Sequence, residues 1–362
     1  MNINIYTTAT IPHAGGMSTH IIDIMRTINE SNDKAILYCH RANSKTIKSG
    51  GTSKSSLPIT VMKLIYKIIL AFIFRFKLNA DMNIYHDPFS ILFSKNSQKK
   101  VLYVHGELSN EFVALNLCSK NDFIYKILQM LEKYAYKKAN LIICVDKRLT
   151  KYVKSHGFNS ITMSNFVYIK SELTRPRKID SKKNINIVIA RRFVEKNGIE
   201  YALEACRQLV ASGYKIKCDI FGTGQLFFKI KQRFPEKFFI YHGDVTPEIV
   251  RINLQNAHFS LVPSIIVGDY VEATSISTLE ACIEGSVLIA SGIGGINDLF
   301  YGTNCAVLVK PGSSEEIFHK IIDLINNPDE YNRLSADGQN FIYREYNQNS
   351  YYSKLKSILL AI

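Results

Sequence analysis

No pair of cysteines in this 362-residue chain has Cys-x-x-Cys spacing, and no apolar run approaches the length needed to span a bilayer. The first absence argues against a disulfide framework or a zinc site. Cys39, Cys118, Cys144, Cys206, Cys218, Cys282 and Cys305 sit mostly in apolar runs, as buried reduced thiols of a cytosolic protein do. The start, Met-Asn-Ile-Asn-Ile-Tyr-Thr-Thr, reads as a strand and not as a signal peptide. Acidic residues are missing altogether between Asp33 and Asp81, where Lys34, Arg41, Lys45, Lys48, Lys54, Lys63, Lys67, Arg75 and Lys77 make nine basic ones. The formal net charge of +14 is therefore lopsided: residues 1–168 carry +12 and residues 169–362 only +2. An anionic surface would be met by the first half.

What is present describes a globular protein. Hydrophobic residues make up 46% and charged residues 21%, enough apolar material for large cores, and the length suits two domains. In the first half, short apolar runs (3–7, 35–39, 82–85, 101–104, 141–145 and 161–163) alternate with helical patterns such as 20–28 and 123–138. A second series of strands is expected at 184–190, 216–221, 238–241, 259–262, 287–290 and 306–309, with a helical tail from Ser313 to Ile362. Residues 171–183, rich in Lys, Arg and Pro, read as the linker between the halves. Strand–helix alternation of this kind implies α/β domains with parallel, doubly wound sheets.

The stretch from Ser264 to Gly295 organises the second half. A strand ends at Pro263, a loop follows, and a helix opens near Thr274–Ser277 and closes at Gly285 before the next strand. Glu272 lies just before this helix and Glu280 about two turns inside it, beside backbone N–H groups that suit a phosphate. Such carboxylates can accept from the hydroxyls of a sugar or ribose, or they can simply cap and solvate the helix. Earlier, Arg191-Arg192-Phe-Val-Glu195-Lys196-Asn-Gly198 follows a strand and precedes a helix, so that a guanidinium and an ammonium can clamp a diphosphate.

The Glu-x7-Glu pattern, with Leu-Glu-Ala, Gly285 and Gly294-Gly295 after it, resembles the nucleotide-binding motif of family 4 retaining glycosyltransferases of the GT-B fold, the group 1 type. Ala273-Thr274-Ser275 stand where that motif usually has glycines. The Arg192–Gly198 string is similar to the family's Gly-Arg-Leu/Phe-Val-x-Lys-x-Gly, with Arg191 in place of the first Gly. Gly222-Thr223-Gly224 resembles its Gly-x-Gly, Gly243-Asp244-Val245 the loop beside its base, and Gly15-Gly16 the loop after its first strand. His105, at the end of a strand and before Gly106, stands where the family often has a histidine near the donor sugar. Asp146 stands where it often has Ser and is given no role. Ser164-Asn165-Phe166-Val167 is similar to the turn that closes the family's first domain.

The resemblance implies two Rossmann-like domains facing a cleft: 1–168 for the acceptor, 169–346 for the nucleotide sugar, and a last helix, about 347–362, packed back on the first domain. It implies a retaining hexosyltransferase taking its sugar from a nucleotide diphosphate donor, a UDP-sugar before a GDP-sugar. Arg192 and Lys196 would neutralise the leaving diphosphate, Glu280 would accept from ribose, and Glu272 and His105 would meet the sugar. Gly15, Gly16, Gly222, Gly224, Gly243 and the amides near Thr274 and Ser275 would line the donor site. There is no Asp-x-Asp, the motif that holds the diphosphate's divalent metal in other glycosyltransferase folds, so metal-independent transfer is expected. The rivals are a nucleotide-sugar epimerase of the same fold and a basic, non-catalytic nucleic-acid binder; aromatics that lie inside apolar runs speak against the second.

Residues 63–78 can be drawn as a helix with Lys63, Lys67, Arg75 and Lys77 on one side and apolar side chains elsewhere. It fits either a core helix or one lying among anionic headgroups. With the family's acceptor in the first domain, the second choice implies a lipid-linked glycan acceptor. An undecaprenyl-diphosphate glycan of bacterial surface polysaccharide is one such acceptor, and the enzyme would be cytoplasmic and peripheral on the inner face of the cell membrane.

Overall fold

A computed structural model describes residues 1–11, 15–41, 57–75, 80–95, 98–114, 117–169, 173, 178–179, 184–268 and 270–362. The first domain runs β1 (Asn2–Ile11), α1 (Gly16–Glu30), β2 (Lys34–Arg41), α2 (Leu57–Phe74), β3 (Met82–Tyr85), β4 (Lys100–Val104), α3 (Leu108–Ala114), α4 (Phe123–Lys138), β5 (Leu141–Cys144), α5 (Lys147–Ser155) and β6 (Ile161–Thr162). Its strands form one parallel sheet in the order β2-β1-β3-β4-β5-β6. Strand side chains are buried on both faces, as a sheet covered by helices on each side requires.

The second domain runs β7 (Ile185–Ala190), α6 (Ile199–Ala211), β8 (Ile216–Phe221), α7 (Phe227–Arg233), β9 (Phe239–Gly243), α8 (Pro247–Gln255), β10 (Phe259–Val262), α9 (Ile276–Ile283), β11 (Val287–Ser291), α10 (Gly294–Phe300), β12 (Val307–Val309) and α11 (Ser314–Asn326). Its parallel sheet has the order β12-β11-β10-β7-β8-β9. Counted from β7 this is 3-2-1-4-5-6, the dinucleotide-binding order, and ligands of such sheets lie where the winding reverses, between the ends of β7 and β10. In the first sheet the reversal falls between β1 and β3.

Two further helices, α12 (Pro328–Glu345) and α13 (Gln348–Leu360), close the chain. The last crosses back: Tyr351, Tyr352, Leu355 and Leu359 are buried in one core with Ile3, Ile21 and Ile24. Tyr352 Oη and Lys356 Nζ donate to the same oxygen of Asp33, at 2.7 and 2.6 Å. Those partners, with the chain's amino group, hold the Asp33 carboxyl far below the usual range. Asn165 and Val167 mark the crossing, Val167 donating its N–H to the Tyr346 carbonyl. Most of the linker read at 171–183 lies outside the described residues.

One expected face is corrected. The helix ends at Phe74, so Arg75 lies beyond it, while Lys77 and the side chain of Lys63 lie outside the described residues. Lys67 turns inward, its Nζ 5.1 Å from the centroid of the buried Phe89 ring. The exposed face is instead apolar: Met62, Ile65, Tyr66, Ile69, Phe72 and Ile73. An 18-residue helix that is apolar nearly all round offers more surface than one sheet can cover, and Leu70, Ala71 and Phe74 take the inner places.

Candidate active site

At the reversal point of the second sheet, Arg191 directly follows β7, and its guanidinium goes into the site. Nη1 donates to Ser275 Oγ (2.7 Å) and Ser277 Oγ (3.1 Å), and Nη2 to Asn197 Oδ1 (2.8 Å) and Ser264 Oγ (2.9 Å). Glu272 Oε2 lies 3.3 Å from Nη2, and both side chains are largely buried. Burial alone would push the Glu272 carboxyl up, but Arg191, Lys196 and Arg192 outweigh it and hold the group below the usual range. Gly294 and Gly295, which open α10, let that helix touch the loop: a Cβ on Gly294 would stand 1.9 Å from the Glu272 carbonyl oxygen, and one on Gly295 2.4 Å from the Thr274 nitrogen. Glu272 and the α9 entrance are therefore fixed from two sides.

Lys196 sits in the short turn after β7, buried, with Nζ 2.5 Å from Tyr270 Oη and 3.9 Å from that ring's centroid. Burial pulls its pKa down, partly offset by Glu272 and Glu111. Arg192 stays exposed at the mouth. Glu280, one turn into α9, has no such cation among the described residues: burial, with Asp23 of α1 and Glu284 adding repulsion, pushes its carboxyl up to about 7. Gly222 and Gly224 border the same end of the sheet, where Cβ atoms would meet the carbonyl oxygens of Arg191 and Phe193 at 2.3 and 2.5 Å. Gly243, in a left-handed turn with φ 72°, accepts from the Gly222 N–H at 2.7 Å.

The side chains of Thr274 and Ser275 are committed to protein. Thr274 Oγ1 donates to the Val145 carbonyl (2.6 Å), and its own carbonyl accepts from Asn165 Nδ2 (2.9 Å), so this residue latches the domains together. What remains for a ligand is the backbone at the α9 N-terminus. Gly15 and Gly16 face it from the first domain, the position of a Gly16 Cβ lying 3.7 Å from Ile276 Cδ1.

On the first domain's side His105 joins two histidines that the sequence reading passed over, His20 and His86, both buried. The three offer nitrogens within 4.8 Å of one another. Burial, then mutual repulsion among His20, His86 and His105, pulls the His20 and His86 imidazoles well below 6.5, and burial takes His105 to about 4, so all stay neutral. His86 Nδ1 and His105 Nε2 are 2.9 Å apart with ring centroids at 5.2 Å, so the two rings meet nitrogen to nitrogen. That is an N–H···N bond with one proton between them. At zinc–nitrogen distances of about 2.0–2.1 Å the pair would subtend about 90°, not a tetrahedral angle. As folded, the pair does not offer the tetrahedral geometry of a zinc site. His20, His86, Arg191 and Tyr270 are the residues to which sequence reading gave no role; His86 had a signal, since like His105 it follows directly on a strand, and Arg191 showed only as a departure from the family's glycine.

Residues 170–341 match the family model of the Glycosyl transferases group 1. An uncharacterized glycosyltransferase of Methanocaldococcus jannaschii is 22% identical over 96% of this chain and 95% of its own length. A Salmonella typhimurium protein provisionally named as a colanic acid biosynthesis glycosyltransferase is 24% identical over 49% of this chain and 45% of that protein. Among solved structures, a sucrose-phosphate synthase of Thermosynechococcus elongatus superposes with a TM-score of 0.77 at 14% identity, covering 99% of both chains. The Anabaena protein HepE in complex with UDP-glucose does so at 0.73 and 16% identity, covering 100% of both.

Proposed function

We propose that this chain, a glycosyltransferase of the GT-B fold, moves a sugar from a UDP-sugar donor to a lipid-linked glycan with retention at the anomeric carbon and without a metal. The observation that carries the reading is the gathering of Arg192, Lys196, Glu272 and Glu280 at the reversal point of a dinucleotide-order sheet. The amine of Lys196 and the guanidinium of Arg192 stabilise the charge that grows on the leaving diphosphate. Glu280 accepts from the ribose hydroxyls, and Glu272 and His105 hold the sugar. The bond from the anomeric carbon to the phosphate oxygen breaks as the acceptor oxygen bonds on the same face, and the acceptor's proton passes to the departing phosphate.

The UDP-glucose complex of HepE and the colanic acid name of the Salmonella relative support the donor and a role in surface polysaccharide synthesis. Incubation with a panel of UDP- and GDP-sugars and lipid-linked acceptors, followed by nucleotide release, tests the reading. Release from no donor would end it. Release without acceptor, with epimerised sugar, would favour the epimerase.

No described helix is long and apolar enough to cross a membrane. The exposed apolar face of α2, on a domain of net charge +12, supports reversible attachment to an anionic leaflet. Sedimentation should show binding to anionic vesicles that weakens with salt and is lost in Ile65→Glu/Ile69→Glu/Phe72→Glu. No binding to anionic vesicles, or an unchanged variant, would remove this attachment from the proposal, and equal binding to neutral vesicles would remove the anionic leaflet.

A further inference from the structure

Arg191 occupies the place where the resembled pattern has a glycine, and its four contacts come from three segments: the turn after β7, the loop after β10, and the start of α9. We propose that Arg191 is a positioning residue for transfer, its planar fork fixing the Glu272 carboxylate and the α9 entrance against the donor sugar. The four hydrogens of its terminal nitrogens all go to neutral oxygens, so the fork is anchored independently of Glu272. The charge is then left for Glu272, 3.3 Å away. Arg191 Nε and Glu272 Oε2 are both buried without a hydrogen-bond partner, so the pair is held by charge and by the surrounding hydroxyls. A lysine would supply the charge but not the fork.

The other charged or titratable groups around Glu272 are Lys196, Arg192 and Tyr270, with Glu111 acting on Lys196 and Tyr270 and Arg148 on Tyr270 from the first domain. Lys196 is itself disfavoured by burial and tied to Tyr270. Without Arg191 the largest charge opposing burial is gone, and the Glu272 carboxyl moves up. The proposal rests on the transferase reading of the site, and its test separates the two. In ligand-free protein labelled with ¹³C at glutamate carboxyls, the Glu272 signal, assigned by its absence from Glu272→Gln, is followed against pH in wild type, Arg191→Gln and Arg191→Lys. Glu272 should titrate at higher pH in Arg191→Gln and return toward wild type in Arg191→Lys.

With donor present, Arg191→Gln should lower kcat by roughly tenfold or more while changing the Kd for UDP by less than about threefold. In a Glu272→Gln background the same change should cost about twofold or less. Arg191→Lys should recover only part of kcat. An unmoved Glu272 titration, or losses that simply multiply in the double variant, would overturn the proposal. If Arg191→Gln does not fold, Arg191→Lys decides, and wild-type kcat there overturns the fork. A wild type that consumes no donor would fell the transferase reading, yet the carboxyl titration would still decide for or against Arg191.

Discussion

The two sheets meet the cleft with opposite chemistry. At its reversal point the second domain sets three cations, Arg191, Arg192 and Lys196, around Glu272, with Glu280 on the helix beyond. The first domain sets three neutral imidazoles and a pair of glycines. Arg191, Lys196, His20 and His86 are all withdrawn from water, so the difference lies in what each group is built to meet. Fixed cations in a low-dielectric pocket stabilise charge that appears as a diphosphate leaves. Neutral imidazoles can give and take hydrogen bonds with sugar hydroxyls without adding charge. Net charge follows another logic: the first half's excess of +12 is what the proposed attachment to an anionic leaflet would draw on.

The sharpest way to break this contrast is to remove a cation from the second domain. Lys196→Ala should lower turnover by roughly a hundredfold or more, as loss of transition-state charge stabilisation does, and Arg192→Ala should follow it. Tyr270→Phe keeps the ring beneath the amine and should cost far less. Single-turnover kinetics at saturating donor would read this, and near-wild-type rates in both cation variants would dissolve the assignment. The carboxylates come next. Glu272→Gln should depress kcat, and Glu280→Gln should chiefly weaken nucleotide binding, each by about 1.5–3 kcal/mol if a charge-assisted hydrogen bond is lost. Full activity in both would remove them from the site.

Glu280 also sharpens the comparison through pH. Its folded carboxyl titrates at about 7, above the ordinary value of 4.5. A raised acid binds more protons folded than unfolded, so the fold loses stability as pH climbs from the ordinary range to about 7, and the whole loss is present above that. Glu280→Gln should therefore raise the melting temperature at pH 8, with the gain vanishing at acid pH. Nucleotide affinity in wild type should rise with pH and level off above about 7, because ribose hydroxyls donate to the ionised form. Calorimetry across pH reads both, and equal melting curves for variant and wild type at pH 8 would contradict the burial argument.

Much of the fold was legible because periodicity and turn chemistry are local. Helix 123–138 and strands 82–85, 216–221 and 259–262 fall where the sequence places them. Arg192, Lys196, Glu272 and Glu280 were legible through their resemblance to the family's motifs, and the fold sets them after β7 and β10. Arg191 was visible only as a departure: its partners Ser264, Ser275 and Ser277 lie 73 to 86 residues away, and nothing local announces them. Tyr270 was hidden in the same way, 74 residues from Lys196. The orientation of α2 was misjudged because a nearly all-apolar helix has no strong period to say which face turns inward.

The smallest expected effect bears on the first domain's imidazoles. If they serve as neutral hydrogen-bond partners, excess chelator should leave turnover unchanged, because the diphosphate's charge is met by Arg192, Lys196 and the α9 N-terminus. Three histidines this close would nonetheless be the obvious place for a transition metal if one ring turned to open the His86–His105 bond. Cobalt added to chelator-treated protein distinguishes the cases, since a cobalt–imidazole site would show ligand-field absorption that His86→Gln abolishes. No absorption and no change in rate are expected. Loss of activity on chelation with rescue by magnesium would place a metal at the diphosphate. Rescue by cobalt, lost in His86→Gln, would place it among the imidazoles, and either result would end the division of charge between the two sheets.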